Sequence, residues 1–141
     1  MIHSIFNRFV TILIPLLPLS FVRMIARRYV AGERSQEALR IVQRLNENGY
    51  SVTLDILGEH SKNKPEAQTI TNAYSDLYEN IHTQKLDCNI SIKPTHIGLD
   101  IGEDFARTNL ITLLNKAHET SNFLRIDMES SKVTDTTLEL Y

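Results

Sequence analysis

The sequence predicts an α/β chain: a partial (β/α)8, TIM-type barrel of about three βα units, preceded by amino-terminal helices. Three observations predict it. β-Branched and apolar segments begin near residues 52, 88 and 123, at spacings of 36 and then 35 residues. A helical pattern fills each interval, and strands alternating with helices at a fixed period imply parallel βαβ units. The first strand is followed by GEHSKNKPE and not by a glycine-rich phosphate turn, which disfavours an open dinucleotide-binding sheet and leaves the barrel.

Each element has its own signal. In ERSQEALRIVQRLNENG, apolar Ala38, Ile41, Val42 and Leu45 recur at helical spacing, with Ser35 as the expected cap and Gly49 as the stop. Residues 51–57 (SVTLDIL) read as a buried strand. Pro65 suits the first position of the next helix, whose Ala67, Ile70, Tyr74, Leu77 and Ile81 share one face. Residues 88–93 (CNISIK) form the second strand, ended by Pro94. Ala106, Leu110, Leu113 and Ala117 mark a further helix, residues 123–128 (FLRIDM) the third strand, and Thr134 or Asp135 caps a last helix.

Residues 1–49 are therefore expected to be a helical segment, and residues 50–141 the first units of an incomplete barrel. A full barrel takes about 250 residues. The 141 residues are accordingly expected to be the first half of a longer enzyme, with an edge that would promote association if left open. Charge divides along similar lines. Residues 1–50 carry a net +4 and residues 51–141 a net −6, giving −2 for the chain. That balance gives no reason to expect nucleic acid. The uncharged run 9–22 holds 14 residues, with Pro15 and Pro18 inside it. A spanning helix needs about 20, so this run does not span a bilayer. It packs on one end of the core, or rests with Arg23, Arg27 and Arg28 on an anionic membrane surface, or forms a signal peptide with Arg8 as its basic region and Phe9–Leu17 as its apolar stretch, although no A-x-A cleavage site follows. A lone Cys88 excludes a disulfide framework, and the five histidines have no metal-binding spacing, so no metal is expected.

In a barrel, chemistry sits at the carboxyl ends of the strands. Lys93 ends the second strand and Asp127 lies near the end of the third, both candidates for the mouth. Asp55, mid-strand, reads as either a site acid or a buried structural one. Glu59, Asp100 and Glu129 read as solvated loop charges, His96 and Cys88 as core residues, and Tyr74 and Tyr78 as packing.

Three segments together carry a resemblance: ARRYVAGERSQEALRIVQRLNENGYSVTLDILGE, NISIKPTHIGLDIGED and NFLRIDMESSKVTDTTLELY. They resemble the amino-terminal half of bacterial monofunctional proline dehydrogenases over nearly all of residues 26–141. The most specific parts are SIK-x-T-x-x-G-L-D and RIDME-x-S, with Lys93 and Asp127 lying 34 residues apart. The resemblance implies a distorted (β/α)8 barrel, non-covalent FAD and oxidation of L-proline to Δ1-pyrroline-5-carboxylate. It also implies electron transfer to a quinone, and a cytoplasmic protein with peripheral contact on the inner face of the cell membrane. It implies that Lys93 pairs with the proline carboxylate, that Asp127 is the catalytic residue beside substrate and flavin, and that Met128 touches the isoalloxazine. Pro94 departs from the leucine common in the family. The family's paired arginines and most of its flavin phosphate contacts belong to the half not present. The alternatives are another flavin-linked (β/α)8 oxidoreductase, or an inactive truncated half-barrel acting as an interaction module.

Overall fold

The computed structural model describes residues 30–141. The expected leader helices, the membrane reading of residues 9–22 and the signal-peptide reading fall outside them. The chain divides into two units, Met1–Ile41 and Val42–Tyr141. In the first, the described residues run to the opening of helix α1, Ser35–Glu47, where the Glu37 carboxylate accepts from the Glu33 N–H at 3.2 Å. Ser35, the expected cap, is the first helical residue. The buried stripe is shifted from the expected Ala38, Ile41, Val42 and Leu45. Its fully buried members are Leu39 and Val42, while Ile41 and Leu45 lie on its flank, 37% exposed. Gly49, at φ +82°, ends the helix in the left-handed conformation as expected, and its N–H returns to Asn46 O at 2.8 Å.

The second unit is built from β1 (Val52–Leu54), α2 (Lys64–Thr83), β2 (Cys88–Ile92), α3 (Glu103–Glu119), β3 (Leu124–Ile126) and α4 (Thr134–Leu140). The strands lie side by side in the order β1-β2-β3, all parallel. Register is set by Thr53 opposite Asn89 and by Ile92 opposite Ile126. Helix α2 packs on β2 and α3, and α3 also packs on β3. Their shared core holds Ala67, Tyr78, Ile90 and Leu113, none with exposed surface.

The strands are shorter than the sequence pattern suggested. After Leu54 the chain leaves the ladder, and the Ile56 N–H donates to the Tyr74 hydroxyl at 3.2 Å. Nor is β1 buried on both faces, because Thr53 is exposed. In β2 the pattern alternates: Cys88, Ile90 and Ile92 face the helices, and Asn89 and Ser91 face away. The second face is polar. On it Asn89 Oδ1 accepts from the Thr53 hydroxyl at 2.9 Å and from Arg125 Nε at 3.1 Å.

Helix α2 is well capped. Asn63 Oδ1 accepts from the Glu66 N–H at 3.0 Å, the Glu66 carboxylate accepts from the Lys62 N–H at 2.8 Å, and Pro65 lies in the first turn. Helix α4 differs from expectation. Val133 is its cap residue and no side chain caps it, because the Thr134 hydroxyl donates back to Ser130 O at 3.3 Å. Among the described residues, no helix is long and apolar enough to cross a membrane.

Candidate active site

The three strands end at one edge of the sheet, and the residues that follow them meet there. Lys93 is the first residue after β2 and Asp127 the first after β3. The register continues one step past Ile92 and Ile126, with the Asp127 N–H donating to Ile92 O at 2.8 Å. Side chains at these positions project to the polar face of the sheet. Lys93 Nζ lies 3.3 Å from Asp127 Oδ2 and 3.4 Å from Asp55 Oδ2. Lys93 is the most enclosed of the three, with its side chain 23% exposed against 45% for Asp55 and 54% for Asp127.

Burial works against the Lys93 charge. The hydrogen bonds and charges of Asp127 and Asp55 outweigh it and hold the lysine pKa above its ordinary value. An ammonium has three donors. One donates to Asp55 and the ammonium also pairs with Asp127, so these two partners do not exhaust its three donors. Asp55 is thus neither mid-strand nor buried. It follows β1 directly, and its alternating position puts it on the same face as Lys93.

The loop after Lys93 is tightly built. Pro94, Thr95, His96, Ile97 and Leu99 are all buried. His96 N–H and Ile97 N–H both return to Lys93 O, at 3.0 and 3.3 Å, and Asn109 Nδ2 donates to Ile97 O at 2.8 Å. Gly98, at φ +106°, has the Phe105 ring 2.8 Å from where a Cβ would stand. A side chain there would be strained in its backbone and would have to displace the ring.

His96 lies edge-on to Tyr74 at 6.4 Å between ring centroids, and its buried Nδ1 has no partner. Burial, then the nearby Lys93 charge, pushes its pKa below 6.5. It is a core histidine, as the sequence suggested. Burial likewise raises the Cys88 thiol to about 11 and the Tyr74 hydroxyl to about 12, so both stay protonated at neutral pH.

Glu129 differs from the solvated reading given to it, while Asp100 is exposed as that reading had it and pairs with an exposed histidine. Glu129 is half-buried and binds Thr95 through both oxygens: Oε2 accepts from the backbone N–H at 3.0 Å and Oε1 from the hydroxyl. Asp100 holds His60 Nδ1 at 2.6 Å. Only the identity of these two as acids was visible in the sequence, because their partners lie 34 and 40 residues away. Glu59 is exposed. Met128, 52% exposed, lines a cleft of about 510 Å³ with Phe123, Ile126 and Leu138, and Asp127 borders the same cleft. Among the described residues, no group of three or more His, Cys, Asp or Glu is placed to hold a metal.

A family model for proline dehydrogenase matches residues 38–141, which include every element from β1 to α4 and the whole Lys93 cluster. The chain belongs to the proline dehydrogenase family. It is 35% identical over 119 residues to proline dehydrogenase 1 of Bacillus subtilis strain 168, covering 84% of this chain and 39% of that protein. It is 32% identical over 120 residues to proline dehydrogenase of Deinococcus radiodurans, covering 83% and 39%. The chain therefore spans about two fifths of the length of these proline dehydrogenases. Among solved structures, proline utilization A (PutA) from Bdellovibrio bacteriovorus, inactivated by N-propargylglycine, matches with a TM-score of 0.76. That match has 24% identity and covers 84% of this chain and 15% of the other, and it bears on the fold.

Proposed function

We propose that this chain is the amino-terminal share of a flavin-dependent proline dehydrogenase barrel, which oxidises L-proline to Δ1-pyrroline-5-carboxylate and passes the electrons to a quinone. Family membership supports proline as substrate. The single observation that carries the site is the Lys93 ammonium, held between Asp55 and Asp127, which do not exhaust its donors.

The roles follow from charge. Proline is a zwitterion, so its carboxylate suits the Lys93 ammonium and its ring ammonium suits the Asp127 carboxylate. Two opposite contacts fix the ring in one orientation, which is a principal source of rate advantage. Oxidation removes a hydride from the ring carbon remote from the carboxylate and a proton from the nitrogen, leaving a carbon–nitrogen double bond. Asp127 is the candidate catalytic residue: it faces the nitrogen and steadies its positive charge.

A bound FAD would supply the hydride acceptor. The donor set here suits the ring end of such a cofactor. Asp127 and the exposed Met128 thioether offer one charged and one soft apolar contact side by side, and Met128 would border the isoalloxazine. The described residues contain no phosphate-cradling glycine turn, so they contribute to the ring and substrate end only. The basic, apolar residues before 30 would give a cytoplasmic protein a peripheral hold on the inner membrane face, near a quinone.

The test uses the native gene product that carries this sequence, purified with its flavin. L-Proline is expected to bleach the flavin absorbance anaerobically, and D-proline is not. A flavin spectrum indifferent to L-proline would contradict the reading. The cleft along the β3 edge favours a second reading, an interaction module, which predicts association through that edge with no response to proline.

A further inference from the structure

Two residues of the SIK-x-T and RIDME segments, Thr95 and Glu129, lie outside the ion pairs of Lys93 with Asp55 and Asp127. Thr95 has no exposed surface, and each of its polar groups is paired. Its N–H donates to Glu129 Oε2 at 3.0 Å, and its hydroxyl donates to Glu129 Oε1. The same hydroxyl accepts from the His60 N–H at 3.1 Å, and its carbonyl accepts from the Ser61 N–H at 3.2 Å. One threonine thus joins all three segments that bring Asp55, Lys93 and Asp127 together. Glu129 lies two residues after Asp127, Thr95 two after Lys93, and His60 five after Asp55.

This network bears directly on Lys93. Between the Lys93 Cα and the Thr95 nitrogen there are three backbone torsions besides the planar peptides, and Pro94 fixes one of them. Pinning Thr95 at both its N–H and its hydroxyl leaves the Lys93 backbone little freedom. We propose that Thr95 and Glu129 act as a positioning pair that holds the Lys93 ammonium where it meets the substrate carboxylate. This rests on the reading of Lys93 as the substrate anchor. Neither residue touches substrate. Glu129 works through Thr95, and Thr95 through the backbone.

The experiment follows the Lys93 side-chain carbon by NMR in the native gene product labelled at lysine, with the signal assigned by its loss in Lys93→Arg. The groups that face this ammonium are Asp55 after β1, Asp127 after β3, and His96 in its own loop. Thr95→Val removes the hydroxyl without changing charge, and Glu129→Gln weakens the clamp from the other side. Both are expected to move the Lys93 titration down towards that of an ordinary lysine. Thr95→Ser keeps the hydroxyl and is expected to retain the wild-type titration. In the native gene product, Thr95→Val is expected to raise KM for L-proline roughly tenfold with kcat unchanged.

A lowered thermal midpoint in Thr95→Val and Glu129→Gln, with the Lys93 titration and KM unmoved, would overturn the proposal and leave a merely structural tie. The proline reading fails separately. A shifted Lys93 titration in the variants of a protein whose flavin ignores proline would keep the positioning pair and remove its substrate.

Discussion

At the scale of single residues, Lys93 carries the account. Its two carboxylate neighbours hold its charge more firmly than solvent would, despite partial burial. A hydrogen bond to a charged group is worth about 1.5–3 kcal/mol, so Lys93→Ala in the native gene product is expected to raise KM for L-proline roughly ten- to a hundredfold. Steady-state kinetics would show it, and an unchanged KM would remove the anchor role. The histidines offer a second check. His96 is expected to titrate below 6.5, because burial disfavours its charge, and His60 above 6.5, because it donates to Asp100. Histidine ring NMR resolves the two in one pH series. Their stability effects oppose each other. As pH falls below 6.5, the unfolded chain takes up a proton that buried His96 resists, and stability is lost. The His60 contribution is present below 6.5 and is lost as pH rises through its folded value.

At the scale of elements, caps and special glycines decide the boundaries. Asn63→Ala removes the acceptor for the Glu66 N–H and is expected to cost about 1 kcal/mol, read as a lower midpoint in urea. Gly98→Ala puts a methyl against the Phe105 ring at an unfavourable φ, and is expected to cost roughly 1–3 kcal/mol by the same measurement. The helices were legible because their signals are local: Pro65, Gly49 and the 3.6-residue spacing are visible in a short window. Strand ends were less legible. SVTLDIL is apolar enough to continue, but the Tyr74 hydroxyl takes Ile56 out of the ladder from 18 residues away. For the same reason Asp55 read as mid-strand when it stands at the site. Glu129 read as solvated because nothing near it in sequence names Thr95 as its partner.

At the scale of the whole molecule, the period of 36 and 35 residues made the parallel topology legible, and the strand order β1-β2-β3 follows it. Charge pattern alone could not show which carboxylates converge on Lys93, because that depends on register. Among the described residues β3 is paired on one side only, and the cleft beside it exposes Phe123, Leu138 and Tyr141. An apolar, unpaired edge favours association. The 141-residue chain by itself is expected to form larger species as its concentration rises, seen by sedimentation velocity, and a strictly monomeric profile would count against an accessible edge. The central claim remains the ammonium between two carboxylates, poised for a substrate acid. Its most direct test is anaerobic flavin reduction in the native gene product, titrated with L-proline for wild type and Lys93→Ala. Bleaching is expected in both, with far more proline needed by the variant. Identical titrations would contradict it.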